Sequence, residues 1–140
     1  MSTLVDTNVL SELLKAAPEP AVLAWFAQHR AESLFVSAVT QAEMTLGARL
    51  LPKGRRRDNL ERAIQAMFDE DFAGRTLPFD SFTVAPYVDI VSARRAAGRP
   101  ISQFDAQIAA SALVHGACLA TRNVSDFEGC GLQLVNPWDS

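Results

Sequence analysis

The apolar residues of this 140-residue chain fall in short clusters whose spacing alternates between that of strands and that of helices. Thr3 to Val5 is short and β-prone, runs into the polar corner Asp6-Thr7-Asn8, and leads to Val9, Leu10, Leu13 and Leu14 at helical spacing. Pro18 and Pro20 punctuate the chain before a second amphipathic stretch with Val22, Leu23, Trp25 and Phe26, which predicts a helix to about His29. Leu34-Phe35-Val36 reads as a second strand, and Thr40 is the candidate cap of a helix from Gln41 towards Leu51, with Glu43 three positions after it.

Pro52 to Arg57 reads as a basic turn, followed by a helix marked by Leu60, Ile64, Met67 and Phe68 that closes near Gly74. Thr76 to Phe79 is a weak strand, and Asp80 is placed to cap a helix reaching Gly98. Pro86 lies inside that span, so it must kink the helix or move its start. Arg99 to Ser102 connects to an Ala-rich helix from Gln103 to His115, and Cys118 to Thr121 and Leu132 to Val135 supply two further strands. Five strands alternating with helices predict an α/β fold: a three-layer sandwich with a central, mostly parallel five-stranded sheet, in one domain over residues 1–140. Ligands of such sheets bind beyond the carboxyl ends of the strands, where Asp6 and the Thr121 to Asp126 loop would lie.

Composition narrows the classes. At 49% apolar residues the chain can bury a real core, and the net charge of −3 makes the whole molecule no trap for polyanions, so any nucleic-acid contact must be local. Positive charge is bunched in Lys53, Arg55, Arg56 and Arg57 and again in Arg94, Arg95 and Arg99, runs that ordinarily are solvated surface. The two cysteines, Cys118 and Cys130, have no partner at metal-ligand spacing, which fits a reduced cytoplasm. No export signal opens the chain, and no window approaches the roughly 18 apolar residues of a membrane span.

Four acids carry the chemistry. Asp6 follows directly on an apolar strand, Glu43 interrupts a stripe of Val39, Leu46 and Leu50, and Asp105 shares a stripe with Ile108, Ala109 and Ala112. Asp126 is borne on a loop. Each has an ordinary reading: Asp6 as a helix cap, Glu43 as half of a capping box with Thr40, Asp105 as a first-turn acid favoured by the helix dipole, Asp126 as a turn residue. Taken together those readings weaken, because several carboxylates turned towards one place repel each other and call for a cation. His29 and His115 are isolated, so an oxygen-only site for Mg²⁺ or Mn²⁺ is the better match, and such sites suit phosphodiester hydrolysis.

These segments resemble a known family, the PIN domain, and within it the VapC and FitB-like toxins of bacterial toxin–antitoxin systems. The resemblance is carried by Leu4-Val5-Asp6-Thr7-Asn8-Val9, Ser37 to Glu43 with Leu46-Gly47, Gly98 to Ser102 through Asp105-Ala106 to Ala110, Ala120-Thr121-Arg122-Asn123 through Asp126-Phe127, and the terminal Asn136-Pro137-Trp138. It implies a metal-assisted endoribonuclease acting on RNA, with Asp6, Glu43 and Asp105 on the metal-binding acids and Thr7, Asn8 and Thr121 on the polar site residues. Some relatives carry an acid where this chain has Asn123, so Asp126 supplies the fourth charge or the site works with three acids and an amide. The resemblance also implies a homodimer or higher oligomer and a cognate antitoxin. Two other readings stand beside it. One is a PIN-like binding module without turnover; the other is a phosphatase of the haloacid-dehalogenase type, which would use Asp6 as nucleophile but wants a second Asp where Asn8 stands.

Overall fold

Thr3-Leu4-Val5 is buried at all three consecutive positions because the strand it forms is covered on both faces. In the computed structural model, which describes residues 1–139, this strand, β1 (Thr3–Val5), is the centre of a five-stranded sheet. Its neighbours are β2 (Leu34–Ser37), β3 (Thr76–Leu77), β4 (Cys118–Ala120) and β5 (Leu134–Val135), in the order β3-β2-β1-β4-β5. Every pairing is parallel, with Leu4 opposite Phe35 on one side and Leu119 on the other. All-parallel strands need crossovers, and these supply the outer layers.

Period-two alternation distributes the sheet's side chains between two cores. Val5, Val36 and Ala120 face α1 (Thr7–Leu13), α2 (Pro20–Ala27), α3 (Ala38–Arg49) and α4 (Arg55–Ala66), where Val9, Leu10, Trp25, Met44 and Ile64 are buried. Leu4, Leu77 and Leu119 face α5 (Ser81–Ala96) and α6 (Gln103–Val114), packed on Ile90, Ile108, Ala109 and Ala112. The expected three-layer sandwich is therefore realised, and the apolar residues Leu13, Leu14, Trp25 and Phe26 belong to its core. Among the described residues no helix is long and apolar enough to cross a membrane.

Several boundaries differ from the expectation. Ser37, not Thr40, caps α3: its hydroxyl accepts from the Val39 amide, and Thr40 lies fully buried inside the first turn. The stripe of Val39, Glu43, Leu46 and Leu50 is not the buried face of that helix. Leu46 is 55% and Leu50 74% exposed, while Thr40, Met44 and Ala48 pack inward. Arg55 to Arg57 are the first turn of α4 rather than a turn before it, and that helix passes into one π-helical turn at Met67–Asp71, which tucks Met67 and Phe68 into the core. Asp80 does cap α5, with a reciprocal capping box to Thr83, and the helix begins at Ser81 and runs on through Pro86. The carbonyl that Pro86 leaves without its amide partner belongs to Phe82, a residue 79% exposed, so water can satisfy it.

Candidate active site

Strand order reverses direction between β1 and β4, and the carboxyl ends of these two strands are therefore the switch point at which ligands of parallel sheets bind. Asp6 leaves β1 there. Its amide donates to the Ala120 carbonyl at 2.9 Å, so the strand pairing continues one residue past β1 and fixes where the carboxylate points. Asp6 is also the cap of α1: Oδ1 accepts from the Thr7 amide at 2.8 Å. Oδ2 accepts from the Thr121 hydroxyl at 2.8 Å, across the junction from β4.

Asn8 and Thr121 complete that tie. Asn8 Nδ2 lies 3.4 Å from both Asp6 Oδ2 and Thr121 Oγ1, and its Oδ1 accepts from the Arg122 amide at 3.2 Å. Thr121 Oγ1 also accepts from the Asn123 amide at 3.1 Å. Asn123 thus contributes its main chain here, and its side chain is exposed. On the other flank the Thr7 hydroxyl donates to Glu43 Oε1 at 2.8 Å and lies 3.0 Å from the Thr40 hydroxyl, so α3 is joined to the start of α1. Thr40 was legible only as a cap; its contact with Thr7 puts it behind Glu43 instead.

Asp105 stands in the first turn of α6, whose cap is Ser102, with the Asp105 amide donating to the Ser102 hydroxyl at 3.2 Å. The Ser-x-x-Asp spacing is a capping signature that the sequence carries openly. The inward stripe expected for this helix holds: Ile108, Ala109 and Ala112 are fully buried, and Asp105 sits half-buried at its head. Asp126 lies in a single 3-10 turn, Val124–Phe127, within the crossover from β4 to β5, and is exposed.

Electrostatics links the four acids into one neighbourhood. Asp6 is 4% exposed, and burial pushes its carboxyl up to about 6. The Thr121 and Thr7 hydrogen bonds oppose that rise, and the charges of Asp105 and Glu43 add to it. Glu43 is raised by burial and by Asp105, against the Thr7 hydroxyl. Asp105 is raised by burial and by Asp126, with Ser102 and Arg94 pulling the other way. Among the described residues none of these four carboxylates has an ion-pair partner.

Among the described residues no three acidic, His or Cys side chains are arranged to hold one metal ion directly, so what matches a hard cation here is the all-oxygen chemistry of the acids and not a formed cage. Asp6, Glu43 and Asp105 stand as mutually repelling neighbours. That suits Mg²⁺ and Mn²⁺ chemistry, since Mg²⁺ keeps several waters and commonly takes one or two carboxylates directly. A zinc-like tetrahedral site would demand tighter convergence and other ligands.

The family profile described as PIN domain matches residues 3–128, which covers all four acids. The chain is 42% identical over 135 residues to the VapC ribonuclease Y4jK of Sinorhizobium fredii, covering 96% of each chain. It is 38% identical to Toxin FitB of Neisseria gonorrhoeae, covering 96% of this chain and 97% of that one. Its fold superposes on the crystal structure of FitAcB from Neisseria gonorrhoeae with a TM-score of 0.92 at 37% identity, over 99% of both chains.

Proposed function

This chain belongs to the PIN domain family, and on that premise we propose that it is a Mg²⁺- or Mn²⁺-dependent endoribonuclease, the cytoplasmic toxin of a toxin–antitoxin pair. The observation that carries the reading is the gathering of Asp6, Glu43, Asp105 and Asp126, with no cation paired to them, at the sheet's carboxyl edge. Asp6 would hold the metal with Asp105 and Glu43, and Asp126 would add the fourth charge from its loop. When bound, such an ion neutralises phosphate charge and activates water for attack on phosphorus.

The protein's own part is orientation. Thr121 and the Thr7 amide hold the two oxygens of Asp6 in fixed directions, Asn8 braces both, and the Thr7 hydroxyl turns Glu43 towards the same switch point. Asn123 completes the Thr121 side through its amide. The proximity of Asp126 to Asp105 favours Asp126 over the Asn123 side chain as the fourth group.

Partners follow from the same reading. The relative FitB is a toxin, and the matched structures include FitAB bound to a DNA fragment and FitAcB. A groove of about 960 Å³ between α1, α3 and α4 is lined by Leu14, Met44, Leu60 and Ile64 together with Lys15, Arg55 and Arg56, and none of the four acids lines it. An apolar floor with a basic rim suits an antitoxin segment that carries apolar anchors and acidic flanks. The exposed Leu46 on α3 and Leu50 at its C-terminal end are the side chains a homodimer would be expected to cover.

The test is cleavage of an RNA panel by purified protein with Mg²⁺, Mn²⁺ or chelator, comparing wild type with Asp105→Asn. Internal cuts that need the metal and are lost in the variant are expected. Cleavage that persists in chelator, or undiminished in Asp105→Asn, refutes the mechanism. A binding module without turnover would instead show no metal-dependent cuts with any RNA.

A further inference from the structure

The basic run on α5 does not behave as solvated surface throughout. Arg94 is 7% exposed, and its guanidinium is turned inward. Nε donates to the Arg99 carbonyl at 2.7 Å, and Nη1 donates to the Asp126 carbonyl at 2.7 Å and the Glu128 carbonyl at 3.1 Å. The Cys130 sulfur lies 3.7 Å from the same Nη1. Gly129, at φ +80°, lets the loop fold over the arginine stem; a Cβ there would stand 4.0 Å from Arg94 Cδ.

Those oxygen partners come from two loops, each serving the acids. Arg99 opens the connector that ends in Ser102, the cap that sets Asp105. Asp126 and Glu128 belong to the crossover that carries the fourth acid. Arg99 reinforces the join with its own side chain, donating to the Ser125 carbonyl at 3.2 Å. A buried cation is costly unless paired, and Arg94 makes no ion pair among the described residues. Its charge is compensated at a distance by the acid cluster, and it is one of the influences that draw the Asp105 carboxyl down.

We infer that Arg94 is a positioning residue of the metal site: one buried guanidinium locks the Asp126 loop to the Asp105 connector and supplies the fixed positive charge behind the acids. The planar fork matters, because it spans carbonyls on two loops at once, which a lysine ammonium cannot reproduce with the same geometry. Metal-site partners of this kind alter affinity without touching the ion. This inference rests on the metal-binding reading above, extended to a residue on the far side of the loop.

The experiment measures Mn²⁺ affinity by titrating free Mn²⁺ in electron paramagnetic resonance, and amide exchange across residues 123–130 by mass spectrometry. Wild type, Arg94→Lys, Arg94→Gln and Ile90→Ala are compared. Ile90 is a buried residue of the same helix that shares a core with Phe127 and Cys130, but its apolar side chain can hydrogen-bond to neither loop's carbonyls, so its truncation controls for lost packing and stability. Expected is a Mn²⁺ affinity weakened about 10–100-fold in both Arg94 variants, with faster exchange over the loop, and near-wild-type affinity in folded Ile90→Ala. Wild-type affinity in both Arg94 variants overturns the inference, as does equal weakening in Ile90→Ala. Should neither Arg94 variant fold, wild type alone decides: Mn²⁺ must slow exchange over 123–130 more than in the remote α2, and uniform slowing overturns the inference. Absence of Mn²⁺ binding by wild type would instead sink the metal reading itself, and this inference with it.

Discussion

Replacing Asp6 by Asn should make the metal-free protein more stable while removing its response to metal. The carboxyl is raised from its ordinary 3.8 to about 6, chiefly by burial. At about 1.4 kcal/mol per tenfold change in proton affinity, its charged form is disfavoured in the fold by about 3 kcal/mol at neutral pH. Asn removes that charge at almost constant shape. Its amide cannot accept from Thr121 and Asn8 as the carboxylate does, which returns about 1 kcal/mol of the gain. A net gain of about 1–3 kcal/mol corresponds, for a chain of this length, to a Tm higher by about 3–10 °C. The sign fixes the pH window. An acid whose folded pKa is raised is least costly when protonated, so the wild-type penalty is absent below the ordinary pKa and complete above the folded one. The assay is thermal unfolding by circular dichroism in chelator, at about pH 7.5 and again near pH 4, where the two proteins should converge. Saturation with Mn²⁺ at about 100 times its Kd should then raise wild type by about 2.7 kcal/mol and leave Asp6→Asn nearly unmoved. A variant that melts below wild type in chelator at neutral pH, or a gap that stays constant with pH, refutes the reasoning.

Two further outcomes follow from the same contacts. Thr7→Val removes the hydroxyl that donates to Glu43 Oε1 while leaving the Thr7 amide on Asp6, so RNA cleavage should fall by about 10–100-fold with the fold intact, checked by single-turnover kinetics and circular dichroism; unchanged kinetics would remove Thr7 from the site. Ala63→Glu places an acid on the exposed face of α4 that lines the groove, so binding of the cognate antitoxin in calorimetry should weaken at least tenfold while RNA cleavage persists; full antitoxin affinity would move the docking surface elsewhere.

Much of the sheet was readable because its pattern is local. Thr3 to Val5 announces a strand buried on both faces, and the buried stripe of Ile108, Ala109 and Ala112 follows from helical spacing alone. What misled was competition between local signals that only packing resolves. Ser37 and Thr40 are both capping residues; Ser37 takes the role because its pairing with Leu77 ends the strand there, which leaves Thr40 inside the helix. On α3 two faces offered themselves, one with larger apolar side chains. The face of Thr40, Met44 and Ala48 is the one turned inward, since Thr40 meets Thr7 and Met44 joins the core around Val9 and Ile64. Arg94 was unreadable in principle, because its partners Asp126 and Glu128 lie 32 and 34 residues further along the chain.

The topology explains why the acids are gathered where they oppose folding. Asp6 and Thr121 are 115 residues apart, and the reversal of strand order brings their chain segments side by side at one edge. The bond between them does two opposed things: it holds Asp6 in place for a ligand, and it favours the charged carboxylate that burial and the neighbouring acids resist. A fold selected for stability alone would place an uncharged side chain at that point. Keeping a buried carboxylate beside two other acids, each raised in pKa, is reasonable only if a cation reverses the balance. On the metal-binding reading, stability without metal and competence with metal therefore pull the same side chains in opposite directions, and Asp6, Glu43 and Asp105 should shift both properties together when any one of them is changed.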